Sequence, residues 1–142
     1  ILNRELDIKS FTFIERNFVS PKIKYGWDIK NNEAYNDLDL LKNFLIKNGL
    51  PSSKFSIFDY DKEALPNKKF DLIISLFSLD YHYDFNIYLD YLHKNSHKST
   101  KIIFDTIRAD YFKTIFKEVH ILSSRTNTVH KSKRLVCSNF II

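Results

Sequence analysis

Histidine is the side chain whose ordinary pKa lets it take or give a proton near neutrality. His82 stands in Ser78–Tyr83 (SLDYHY), with Asp80 two residues before it and a tyrosine on each side. That grouping suits general acid–base work, with His82 as the base and Asp80 orienting it or serving in its place. The ordinary alternative is a surface histidine at the entry to a helix. Acids give the second signal. Glu15, Asp59 and Asp105 each close a short apolar run, FTFIE, FSIFD and IIFD. One such acid is commonly a turn residue. Three of them, on parallel strands, would line one sheet edge as a row of carboxylates over a shared crevice.

The elements that must position these groups are legible as apolar runs. Phe70–Tyr83 (FDLIISLFSLDYHY) begins with apolar residues in consecutive positions, which predicts a strand covered on both faces, as in a parallel sheet sandwiched by helices. Residues 11–15, 55–59, 71–77 and 101–106 are then expected as parallel strands of one sheet. Ala34, Leu38, Leu41 and Leu45 recur at helical spacing, predicting a helix over 33–47 that Asn48–Gly49 ends and Pro51 follows. Further helices are expected over 84–93 and 109–118, and the last turns of one over 1–9. Residues 119–124 and 134–141, separated by TNTVHKSK, carry the signal of an antiparallel hairpin at the sheet edge. Pro21, Gly26 and Trp27, within SPKIKYGW, indicate a structured loop.

Composition narrows the class. A chain of 142 residues with 44% hydrophobic and 15% aromatic content is expected to be one globular domain. No apolar stretch reaches membrane-spanning length. The lone Cys137 has no internal disulfide partner, which fits a reducing cytoplasm. There is no Met, the first residue is Ile1, and only two glycines occur. A nucleotide-binding α/β domain carries a glycine-rich turn after its first strand, so the expectation is a chain lacking its N-terminal part. Charge is uneven: residues 1–92 hold 12 Lys/Arg against 14 Asp/Glu, and residues 93–142 hold 10 against 3. The basic end is either a solvated face or a surface for an anionic substrate or nucleic acid.

A parallel sheet finishing in an antiparallel hairpin resembles the class I S-adenosylmethionine-dependent methyltransferases. FTFIE resembles that family's second strand, whose closing acid takes the cofactor's ribose hydroxyls, which would assign Glu15 that role. IFDYDKEALPNKKFDLIIS resembles the segment joining its third and fourth strands. There Asp59 or Asp61 would meet the adenine amine, and Phe58 or Tyr60 would wall the ring. FDLIISLFS looks like the strand under the methyl-transfer site, with Ser75 among the cofactor-binding residues.

The resemblance implies an α/β fold with a Rossmann-like, mostly parallel sheet, helices on both faces and a C-terminal hairpin. It also implies S-adenosyl-L-methionine as cofactor and methylation of a small-molecule or sugar-type acceptor, anionic ones included, at oxygen or nitrogen. A non-catalytic interaction domain on the same scaffold and a basic nucleic-acid-binding module are the alternatives. Against the last, the basic residues are spread over several elements and no recognised motif collects them. No metal is expected. His93 and His97 have the spacing of a helical ligand pair, but Asn95 and Ser96 predict that the helix has ended there. Arg108 follows the fourth acid-ending strand, placed either to contact an anionic substrate or to cap.

Overall fold

The computed structural model describes residues 6–21, 35–124 and 131–141. These fall into two compact units, residues 6–21 with 35–66, and residues 67–124 with 131–141. Gly26, Trp27, most of SPKIKYGW, the first two positions of the expected helix over 33–47 and most of TNTVHKSK lie outside the described residues.

In the first unit, β1 (Phe11–Glu15) pairs in parallel with β4 (Phe55–Asp59), Phe11 beside Phe55 through to Glu15 beside Asp59. Phe13 meets Phe55 edge-on at 6.4 Å. Short strands β2 (Phe18–Val19) and β3 (Tyr35–Asn36) pair antiparallel. Helix α1 (Leu38–Lys47) starts later than its apolar period predicts. The Asp37 side chain accepts from Leu40 N–H at 2.9 Å, and an N-capping acid ends the extended segment before the helix. Gly49 follows the helix with φ +84°, a left-handed conformation natural for glycine. Residues 6–10 form no helix, against the one expected over 1–9. No apolar side chain described in this unit is buried.

The second unit holds the core. Strands β5 (Phe70–Ser75), β6 (Ser96–Thr106), β7 (Phe116–Ser124) and β8 (Lys133–Phe140) form one sheet in the order β5-β6-β8-β7. β5 and β6 run parallel; β8 runs antiparallel to both β6 and β7. Helix α2 (Phe85–Lys94) is capped by Asp84 at its start and Asn95 at its end. Phe85, Phe104, Phe112 and Phe116 are all but fully buried, with Phe85 5.1 Å from Phe104 and 4.9 Å from Phe112. Each enclosed ring contributes about 1.5–3 kcal/mol by burial, and each such pair about 0.5–1.5 kcal/mol beyond it. Ile102, Leu135 and Cys137 complete the cluster; burial pushes the Cys137 thiol up to about 12, so it stays protonated.

This architecture corrects the fold expectation. The four predicted parallel strands do not form one Rossmann-like sheet with helices on both faces. Among the described residues 43% are strand and 25% helix, and the sheets are small and mixed. Among the described strands, parallel pairing joins β1 to β4 and β5 to β6. The physical reason lies in the connections. Residues 60–69, between β4 and β5, contain no helix, and the expected helix over 109–118 is only a 3₁₀ segment, Ala109–Thr114. There the buried Phe112 and Phe116 serve the aromatic cluster, and β7 already begins at Phe116. Tertiary packing has overridden the helical period. β6 also starts early, at Ser96. A register shift between Phe70 and Leu72 accommodates the added residues, and Thr100 Oγ1 fixes it by donating to the Phe70 carbonyl at 2.6 Å.

Candidate functional site

The carboxyl end of the β1–β4 pair gathers four of the predicted cofactor-binding residues. Parallel, in-register pairing sets Glu15 beside Asp59, and the Tyr60 N–H donates to the Glu15 carbonyl at 2.9 Å. Asn36, from β3, donates through Nδ2 to Glu15 Oε2 at 3.0 Å. Glu15 is exposed as a residue, yet desolvation of its carboxyl raises its pKa above the ordinary value. A carboxylate whose pKa is raised by burial at a strand end is a candidate functional group.

Asp59 and Asp61, equivalent as candidates in the sequence, separate here. Asp59 is 5% exposed. Its Oδ1 accepts from Asp61 N–H at 3.1 Å and its Oδ2 meets Lys62 Nζ at 3.2 Å. Desolvation pushes this carboxyl up. Lys62 and the backbone N–H groups outweigh it and hold the pKa below the ordinary value. Asp59 therefore builds the turn, the everyday use of aspartate after a strand. Asp61 is the open one. Its side chain is 44% exposed and pairs with Arg16 at 3.2 Å, an exposed ion pair of about 0–1 kcal/mol that a ligand can displace. The Arg16 guanidinium also lies 5.6 Å from the Tyr60 ring centre.

The carboxyl end of the β5–β6 pair holds the other predicted residues. Ser75 closes β5, and its Oγ accepts from Leu79 N–H at 3.1 Å, so it starts the turn that follows. Leu76 and Phe77, expected in the strand, have left it. Phe77 (φ 54°) and Asp80 (φ 59°) are left-handed, which costs about 1–2 kcal/mol for a residue bearing a Cβ. The Asp80 side chain is 1% exposed. It accepts from Thr106 Oγ1 at 2.6 Å and from Arg108 through Nε, at 3.0 Å, and Nη2. Arg108 Nη2 also donates to Asp84 Oδ1 at 2.9 Å, and these carboxylates raise the arginine's already high pKa. With its carboxylate taken up in this way, Asp80 anchors the turn. His82 lies exposed on that turn, edge-on to Tyr81 with ring centres 5.6 Å apart.

Asp105, third of the strand-closing acids, is closed off. It is 2% exposed, and Arg134 grips it with Nε to Oδ1 at 3.1 Å and Nη2 to Oδ2 at 3.0 Å. It also accepts from Phe77 N–H at 3.0 Å. The expected row of carboxylates along one sheet edge is corrected, because Glu15 and Asp59 end the β1–β4 sheet while Asp105 lies in the separate sheet of β5 and β6. Glu15 and Asp61 are accessible, whereas Asp59 and Asp105 are structural. Arg108 is a clamp and not an open anion contact. Arg134 was missed, because nothing in its neighbourhood signals that β8 will register it opposite Asp105.

No group of three or more His, Cys, Asp or Glu among the described residues is arranged to hold a metal ion. α2 ends at Lys94, so His93 and His97 do not share a helix. Among the described residues no helix is long and apolar enough to cross a membrane. Comparison with protein-family models, curated proteins and solved structures found no match to this chain.

Proposed function

We propose that this chain serves an S-adenosylmethionine-dependent methyltransferase that acts on an oxygen or nitrogen of a small-molecule acceptor. The observation that carries the reading is Glu15. It closes a parallel strand, is exposed as a residue while its carboxyl is partly desolvated, and has an aromatic residue and a second open acid a few residues along the neighbouring strand's exit. The nucleoside half of the cofactor fits that donor and acceptor set. A carboxylate accepts from both hydroxyls of a ribose. Asp61 supplies an acceptor for the adenine amine, and the Tyr60 face an apolar wall. Asn36, donating to Oε2, holds the carboxylate in orientation.

When bound, the cofactor supplies an electrophilic methyl group on a sulfonium. The chain's part is to hold the acceptor in line with it, which accounts for most of the rate in such a transfer. His82, exposed on the turn after β5, is the residue with the chemistry to take a proton from an acceptor's hydroxyl or amine. Asp80 contributes by fixing that turn.

Isothermal titration of S-adenosylmethionine into the protein at its full natural length tests the reading. Binding is expected, and Glu15→Ala weakens it by roughly 1–3 kcal/mol, the scale of a charged hydrogen-bond partner lost. No binding by the wild-type protein refutes the methyltransferase. Binding untouched by Glu15→Ala refutes the assignment of Glu15.

A further inference from the structure

The turn after β5 is held in a conformation its residues resist. Glycine at 77 and 80 would follow the same path without strain, yet a phenylalanine and an aspartate stand there with φ 54° and 59°. Such outliers persist where the surroundings over-determine them, and they collect at working sites. Here the surroundings come from the end of β6 and the residues just past it. Asp105 accepts from the Phe77 N–H at 3.0 Å, Thr106 Oγ1 donates to Asp80 at 2.6 Å, and Arg108 joins Asp80 to Asp84, the N-cap of α2. The guanidinium is itself stacked 4.5 Å over the Tyr111 ring. One planar cation thus fixes the turn's centre relative to the helix that leaves it.

His82 lies on this turn, two residues after Asp80. Its ring stands edge-on to Tyr81, and Tyr81 edge-on to Phe77 at 5.4 Å. The Tyr81, His82 and Tyr83 N–H groups all converge on the Ser78 carbonyl, at 3.0, 2.7 and 3.1 Å. We propose that Arg108 is a positioning residue which, through Asp80 and Asp84, sets where the His82 imidazole stands for the acceptor. This rests on the reading of His82 as the acceptor-side base. A base works only within hydrogen-bond reach of the proton it takes, so a turn free to leave its left-handed path loses the histidine's aim. Lysine cannot replace the fork, because it offers a point charge and no planar pair of donors.

Nuclear magnetic resonance of the full-length protein tests this without any substrate. In Arg108→Ala, amide exchange at Tyr81, His82 and Tyr83 is expected to quicken by about tenfold to a hundredfold, as charged hydrogen bonds are lost. Exchange in β6 and β8 stays as in wild type. The His82 ring resonance moves. Arg108→Lys leaves it moved, and millimolar methylguanidinium returns it in Arg108→Ala. If Arg108→Ala does not fold, Thr106→Val removes the other donor to Asp80 and is expected to show a milder form of the same changes. An unmoved His82 resonance in the folded variant, or full restoration by lysine, overturns the proposal. Failure of cofactor binding would be seen separately, by titration, and bears only on the methyltransferase reading.

Discussion

Arg134→Met removes the cation from a carboxylate that is itself almost wholly buried. Asp105 is 2% exposed and would keep only the Phe77 N–H of its three donor contacts. Breaking a fully buried pair from one side costs about 3–5 kcal/mol, mostly the penalty of the charge left behind. The Arg134 side chain is 26% exposed, so water reaches the vacated site in part, which lowers the expectation to about 2–4 kcal/mol. For a unit of this size that is a fall in Tm of roughly 10–25 °C. Urea denaturation followed by circular dichroism measures it, in a cycle with Asp105→Asn. Neutralising the stranded carboxylate should recover part of the loss, so the double variant is more stable than Arg134→Met alone, with a coupling of about 1–3 kcal/mol. A cost of Arg134→Met below about 0.5 kcal/mol, the range of ordinary surface substitutions, or a coupling near zero, refutes the description of this pair as a buried clamp.

Further outcomes follow from the first unit. Burial raises the Glu15 pKa above its ordinary 4.5, so the folded state favours the protonated form, and stability falls as pH rises from about that value through the folded pKa. Glu15→Gln should abolish that fall and stabilise the protein at neutral pH while weakening S-adenosylmethionine binding; a parallel loss of both would show Glu15 to be structural. Asp37→Ala removes the N-cap of α1 and should cost about 1 kcal/mol in denaturant unfolding. An unchanged midpoint would mean that α1 does not share in the measured transition.

Most strands were legible in the sequence because their apolar runs are short and sharply bounded. β1 and β4 occupy the very residues predicted, and the final hairpin of β7 and β8 lies within a few residues of its expected place. What could not be read was which strands share a sheet. Pairing depends on contacts between residues far apart in the chain, and a run such as FSIFD looks the same beside one partner or several. Ala109–Glu118 misled for another reason. Its apolar spacing suits a helix, but the buried rings of Phe112 and Phe116 are satisfied by a 3₁₀ turn running into a strand. The acids show the same limit. Glu15, Asp59 and Asp105 close similar runs, and they are told apart by the side chains that meet them, the distant Asn36 and Arg134 and the nearby Lys62.

The absence of a buried apolar side chain among the described residues of the first unit has a consequence in time. Local opening costs least where few apolar contacts must be broken, so this unit is expected to open and reclose many times for each opening of the second. Glu15 and Asp61 ride on it. A ligand that binds only the closed form stabilises it by RT ln(1 + [L]/Kd), about 2.7 kcal/mol at a hundredfold excess over Kd. For the part of the chain that carries the candidate binding acids, occupancy and folding are therefore coupled. Its rate of proteolytic cleavage would fall as ligand is added, at concentrations that leave the second unit's stability unchanged.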